Sequence, residues 1–254
     1  MLLTDYLQRL CRGLLPKRFY CEDALITTHN HEFVEDPAFQ KAYARGVKAT
    51  GGVDYHNRWR LYLALWLART AAKLEGDFVE CGVNYGFTAS AIMEDLSWNN
   101  LGKTFWLIDS FSGADEGQLT EQEKNNTTLV RHSSARASGF YNSDPDHCRR
   151  NFSEWKDARV EQGWIPQCLG VVTSSKIAFL HIDLNSFAPE IAAFRYFSAR
   201  LTPGAVVLLD DYGYAGGGET FREWKRVSGE LRLDILSLPT GQGLIWIPPS
   251  NGRR

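Results

Sequence analysis

Four short apolar runs in this sequence each end in acidic residues. They are Phe78-Val79-Glu80-Cys81-Gly82, Thr104-Phe105-Trp106-Leu107-Ile108-Asp109, Ile177-Ala178-Phe179-Leu180-His181-Ile182-Asp183 and Ala205-Val206-Val207-Leu208-Leu209-Asp210-Asp211. If the runs are strands of a parallel sheet, their carboxyl ends share one edge, where such sheets bind ligands. A single acid there is most simply a cap for the following helix. Four together point to a site. The first of these ends continues as Glu80-Cys81-Gly82-Val83-Asn84-Tyr85-Gly86-Phe87-Thr88. Gly82 and Gly86 permit a sharp turn and a close approach of backbone to ligand. Asn84 stands where a phosphate-binding GxGxxG loop has its second glycine, so the loop is not that fingerprint. A glutamate ahead of the glycines suits a cationic amine better than a pyrophosphate. Asp109, ending the next strand, is placed to accept both hydroxyls of a ribose. Together these residues imply an adenosyl cofactor with a charged amino-acid end.

The elements that must carry these residues alternate. Between the strong strands lie helical patterns at 88–96, 147–155, 188–201 and 219–227, with a weaker strand at 159–163. Thr202-Pro203-Gly204 reads as a turn, and 231–236 with 243–247 reads as a closing strand pair. Strands alternating with helices predict an α/β fold, a doubly wound, mostly parallel Rossmann-like sheet. The sheet domain spans 75–254. Residues 1–74 form a helical N-terminal extension: Leu3, Tyr6, Leu7 and Leu10 share a helical face, Asp36-Pro37 starts a helix, and Trp59–Ala72 is apolar on nearly all sides. Residues 113–146 are polar and aperiodic, and a segment of that length inside a compact domain is usually a lid or a binding element.

Composition narrows the partners. The chain has 254 residues, 44% hydrophobic and 23% charged, which excludes disordered and fibrous classes. Its 28 basic and 30 acidic residues leave a net charge of −2, giving no general attraction to nucleic acid. The five cysteines have no paired spacing, which fits reduced thiols in the cytoplasm. No apolar run approaches the roughly 20 residues of a membrane span. The apolar N-terminal helices leave room for a homo-oligomer.

The combination of Gly76-Asp77-Phe78-Val79-Glu80-Cys81-Gly82-Val83, Leu107-Ile108-Asp109-Ser110-Phe111-Ser112-Gly113, His181-Ile182-Asp183, Leu209-Asp210-Asp211-Tyr212-Gly213 and Leu238-Pro239-Thr240-Gly241-Gln242-Gly243 resembles the macrocin O-methyltransferase (TylF/MycF) family. The resemblance covers about residues 50–247. It implies a class I methyltransferase fold that uses S-adenosylmethionine, generally with Mg2+, to methylate a hydroxyl of a sugar or other polyhydroxylated small molecule or glycan. Carried over, Glu80, Gly82 and Gly86 would line the methionine end of the cofactor, with Val83, Asn84 and Thr88 in the same loop. Asp109 would hold the ribose, with Ser110 and Phe111 beside the adenosine. Asp183, Asp210 and Asp211 match the metal positions. Many members read Asp-Gly-Asp where this chain has Asp183-Leu184-Asn185, so a neutral amide replaces the second carboxylate.

The metal also has a physical argument. Three converging carboxylates repel one another unless a cation offsets them or one protonates. Mg2+ suits all-oxygen ligands and, by binding vicinal hydroxyls, would lower the pKa of the one that reacts. Asp183 is the first candidate for the base that removes the proton. His181 is the second, because residues two apart on a strand share a face. Two other readings compete: a nicotinamide-dependent oxidoreductase on a related sheet, and a non-catalytic cofactor-binding protein on the same fold.

Overall fold

The computed structural model describes residues 19–125, 138–213 and 218–249. The helix expected over Leu3–Leu10 and residues 126–137 of the polar segment lie outside the described residues.

A seven-stranded sheet organises the fold. Its strands are β3 (Asp77–Cys81), β4 (Phe105–Asp109), β5 (Ala158–Gln162), β6 (Ile177–Ile182), β7 (Leu201–Leu209), β8 (Leu236–Ser237) and β9 (Gly243–Trp246), in the order β5-β4-β3-β6-β7-β9-β8. Pairing is parallel from β5 to β7 and antiparallel from β7 to β8. The sheet order turns back between β3 and β6, the kind of switch point that opens a crevice at the strand ends. Register makes those ends level. Cys81 lies opposite both Ile108 and Ile182, and Ile182 lies opposite Leu209. The next residues, Gly82, Asp109, Asp183 and Asp210, therefore leave the sheet along one edge.

Both faces of the sheet are covered, which is why the central strands are apolar throughout. On one face Phe78, Phe105, Phe179 and Leu208 pack beneath helices α1 (Pro37–Ala49), α2 (Arg58–Ala71) and α3 (Phe87–Asp95). On the other, Val79, Leu180, Ile182 and Val207 meet Phe194 of α6 (Phe187–Ser198) and Trp224 of α7 (Gly218–Leu231). Pro37 and an Asp36 carboxylate that accepts from the amides of Ala38 and Phe39 start α1. Gly46 lets α1 meet α3 closely, since a Cβ there would come within 3.0 Å of the Phe87 ring.

Three expectations need correction. Residues 1–74 are not wholly helical: β1 (Tyr20–Glu22) and β2 (Leu25–Thr27) form a hairpin whose turn residues, Asp23 and Ala24, both have positive φ. That pair fits the twist of a two-residue hairpin turn, and six residues were too short a run to show a strand period. Thr202-Pro203-Gly204 is not a turn but part of the first stretch of β7, where proline is tolerated because the pairing with β6 shifts register there. Leu231 belongs to α7, which leaves β8 only two residues long. In the polar segment, α4 (Glu121–Asn125) is a short helix set by a capping box. The Glu123 amide donates to Thr120 Oγ1 at 3.0 Å and the Thr120 amide to Glu123 Oε2 at 2.9 Å. The Thr-x-x-Glu spacing was the signal for it. No helix among the described residues is long and apolar enough to cross a membrane.

Candidate active site

A pocket of about 780 Å3 opens where the level strand ends meet α2, the N-terminal hairpin and the segment following β4. It has two halves.

The first half is built on backbone. Gly82 has φ +89, and a Cβ there would lie 1.8 Å from the Asp183 carbonyl oxygen. Only glycine fits this position. Asp109 then organises the loop. Its Oδ2 accepts from the amides of Val83 (2.7 Å) and Asn84 (2.8 Å), and its Oδ1 accepts from the Phe111 amide (2.7 Å). A carboxylate has about four acceptor positions, so these bonds leave capacity for a ligand hydroxyl. Residues 138–142 close over the same loop: Asn84 Nδ2 donates to Phe140 O, Tyr85 Oη to Gly139 O, and the Asn142 amide to Asn84 Oδ1. Thr88, Ser110, Gly163 and Trp164 complete this half.

The second half is built on charge. Glu80 lies at the junction, 2% exposed, with one oxygen 2.7 Å from His181 Nδ1 and the other buried without a hydrogen-bond partner. Burial pushes the Glu80 carboxyl upward, partly countered by His181. His181 Nε2 stands 3.5 Å from Asp210 Oδ1, an electrostatic contact rather than a formed hydrogen bond. Burial opposes the charge of the imidazole, but the flanking Asp210 and Glu80 carboxylates outweigh it and push His181 up to about 10. Asp210 goes the other way. Burial disfavours its charge, yet Arg60, His181 and Gln242 together hold its carboxyl well below the usual range. Gln242 Nε2 donates to Asp210 Oδ1 at 2.9 Å, and Arg60 Nη1 to Asp210 Oδ2 at 2.7 Å. Asp183 is raised well above the ordinary value by burial and by the charges of Asp210 and Asp211. Its Oδ1 accepts from Asn185 Nδ2 at 3.2 Å.

The pocket thus brings together Glu80, Gly82, Val83, Asn84, Thr88, Asp109, Ser110, Asp183, Asp210 and Asp211. Three predicted residues are not on its wall. Gly86 starts α3 and backs onto Phe152, whose ring a Cβ would meet at 2.4 Å. Phe111 is 3% exposed and packs in the core beneath α1–α3. His181 is 1% exposed, sealed between the two carboxylates. Among the described residues no group of three or more His, Cys, Asp or Glu is disposed as a ready-made metal cage. Several pocket residues were missed: Asp23, Tyr55, Asn57 and Arg60 from the N-terminal extension, and Tyr85, Phe140 and Tyr141 around the loop. A signal existed only for Arg60, one of three arginines, with Arg58 and Arg69, in a helix whose other residues are mostly apolar.

The comparisons with known proteins bear on what such a pocket does. The sequence profile of the macrocin-O-methyltransferase (TylF) family matches residues 66–237. The chain is 24% identical over 177 residues to the 8-demethyl-8-(2,3-dimethoxy-alpha-L-rhamnosyl)-tetracenomycin-C 4'-O-methyltransferase of Streptomyces olivaceus, covering 67% of this chain and 65% of that protein. It is 25% identical over 182 residues to the mycinamicin III 3''-O-methyltransferase of Micromonospora griseorubida, covering 67% of this chain and 68% of that one. The first match therefore spans a little under two thirds of its relative's length. Among solved structures, the O-methyltransferase NovP superposes with a TM-score of 0.63 at 17% identity, covering 87% of this chain and 100% of that one. At that identity the likeness establishes the fold, a class I methyltransferase sheet.

Proposed function

Because the chain belongs to the macrocin-O-methyltransferase (TylF) family, we propose that it is an S-adenosylmethionine-dependent O-methyltransferase. Its acceptor is a hydroxyl of a sugar or other polyhydroxylated molecule, and Mg2+ assists. One observation carries the reading: the glycine loop with Asp109 and the carboxylates ending β6 and β7 line the same pocket, so a cofactor in one half faces an acceptor in the other. The family match favours this over the nicotinamide alternative.

In the first half, the Gly82–Asn84 backbone and Asp109 would hold the cofactor's ribose side. The free Glu80 oxygen would take its ammonium, which also relieves a buried acceptor atom left without a partner. Bound there, S-adenosylmethionine supplies an electrophilic methyl group on a sulfonium. For Mg2+ the donor set fits in kind, since Asp183, Asp210 and Asp211 offer only oxygens. A three-carboxylate cage is not required, because Mg2+ keeps several waters and commonly takes one or two carboxylates. Asp183, raised by burial and by its two acidic neighbours, is the group a cation there would relieve. Arg60 already holds one Asp210 oxygen, so Asp183 and Asp211 are the better ligands. Mg2+ would supply a positive charge that lowers the pKa of an acceptor hydroxyl.

Asp183 is our choice of base, since it lines the pocket beside Asp210 and Asp211 and a cation there would hold it ionised, able to take the hydroxyl proton. His181 does not suit the role. It holds its proton up to about pH 10, its ring is sealed from the pocket, and its task is to keep Glu80 and Asp210 apart yet neutralised. The test is a thermal shift followed by a transfer screen. S-adenosylhomocysteine should raise the melting temperature and NADH should not. Methyl transfer to a panel of glycosides should then require Mg2+. Stabilisation by NADH alone would reject the methyltransferase reading, and turnover indifferent to EDTA would reject the metal.

A further inference from the structure

Arg60 lies in the first turn of α2, and its side chain does more than balance one acid. It is 8% exposed. Its guanidinium reaches three parts of the chain distant in sequence. Nε donates to Asp23 Oδ2 in the hairpin turn at 2.9 Å. Nη1 donates to both the carbonyl oxygen and Oδ2 of Asp210 at 2.7 Å, and Nη2 to the Thr240 carbonyl at 3.2 Å. Asp211 Oδ1 is 3.6 Å from Nη1. A planar fork with five donors can satisfy all of these at once, whereas a lysine ammonium cannot.

The hairpin is seated by the same stretch of helix. Arg58 pairs with Glu22, the Trp59 amide donates to Tyr20 Oη at 3.0 Å, and Arg60 takes Asp23. With both turn residues at positive φ, the turn projects Asp23 onto the pocket wall beside Arg60. One side chain thus links the hairpin tip to the carboxylate at the end of β7.

The geometry points to Arg60 as a positioning residue for the acceptor half of the pocket: it fixes the pose of Asp210, and through the Asp210 carbonyl that of the adjoining Asp211, and it clamps the hairpin turn there as a wall of the acceptor site. The assignment rests on the function proposed above. It makes the hairpin part of the acceptor site and not merely a packing element of the extension.

The experiment uses the full chain, with Mn2+ as the probe for the acid half, S-adenosylhomocysteine as the probe for the other, and amide hydrogen exchange over residues 20–27. Arg60→Lys keeps the charge and loses the fork. It should speed hairpin exchange at least tenfold and weaken Mn2+ binding, read by electron paramagnetic resonance, at least fivefold. S-adenosylhomocysteine affinity should stay within twofold. Asp23→Asn should speed hairpin exchange while leaving Mn2+ affinity within twofold. Wild-type exchange and Mn2+ affinity in Arg60→Lys would overturn the proposal, because charge alone would then suffice. Loss of S-adenosylhomocysteine binding in Arg60→Lys would also overturn it, because Arg60 would then serve the whole fold. If the wild-type chain binds no Mn2+, the metal of the proposed function fails by itself. Hairpin exchange in Arg60→Lys then decides: a tenfold rise upholds the positioning role and no change overturns it.

Discussion

The two halves of the pocket are held by different physics. The half proposed for the cofactor is nearly all main chain: Gly82 in a conformation and a space that admit no side chain, with one carboxylate gathering three amides. The half proposed for the acceptor joins the hairpin, α2, the ends of β6 and β7 and the β8–β9 turn through a network of acids held by Arg60, His181 and Gln242. A backbone site tolerates little local change and ignores distant change. A charge-assembled site depends on every partner, because removing one leaves another buried and unpaired.

The largest effect should come from Gly82→Ala. Its Cβ would fall 1.8 Å from the Asp183 carbonyl oxygen, so the strand ends must separate. The expected loss is about 4–5 kcal/mol of stability, with no detectable S-adenosylhomocysteine binding, read by denaturant titration and calorimetry. A well-folded variant that binds the cofactor would refute the backbone account of this half.

Asp210→Asn should come next. It strands Arg60 and His181, two buried cations that share this carboxylate. The variant should lose about 3–5 kcal/mol by urea denaturation, along with transfer activity, while its folded fraction still binds S-adenosylhomocysteine. Equal damage to cofactor binding would erase the distinction between the halves.

Behind the acceptor half, Glu190 of α6 accepts from Trp224 Nε1 at 2.7 Å, and its other oxygen has no partner. Burial pushes its carboxyl up to about 8 despite the Trp224 bond. The folded state therefore keeps a proton that the unfolded state has released above about 4.5. Stability should fall as pH rises from about 5 to about 8, by an amount on the order of 3–4 kcal/mol. Glu190→Gln should flatten that slope in chemical denaturation measured across the range. An unchanged slope would place the pH sensitivity elsewhere in the acid network.

The same contrast explains what the sequence made legible. Strand ends are local, so the runs up to Glu80, Asp109, Asp183 and Asp210 were readable, and register did the rest by levelling them. The glycine loop was equally local. The acceptor wall was not, because Asp23, Arg60 and Gln242 meet only through tertiary folding and carry no shared spacing. Phe111 and Gly86 lie off the pocket wall for a related reason. Membership of a loop does not say which residues face the ligand, and here one fills the core while the other fits against Phe152. His181 shows the same limit for charge: its place on the strand was right, but its role depends on Glu80 and Asp210, both distant in sequence.

The smallest predicted effect tests the cofactor half from within. Asp109 both gathers the Val83, Asn84 and Phe111 amides and faces the pocket. If it also takes a ribose hydroxyl, Asp109→Ala should weaken S-adenosylhomocysteine binding by about 1–3 kcal/mol, the cost of leaving polar groups unpaired. If it only shapes the loop, adenosine lacking the ribose hydroxyls should bind the wild-type chain as well as adenosine does. Calorimetry with both nucleosides separates the cases. A ribose contact lowers wild-type affinity for the deoxygenated compound and makes Asp109→Ala indifferent to the change. A purely structural role leaves both proteins indifferent.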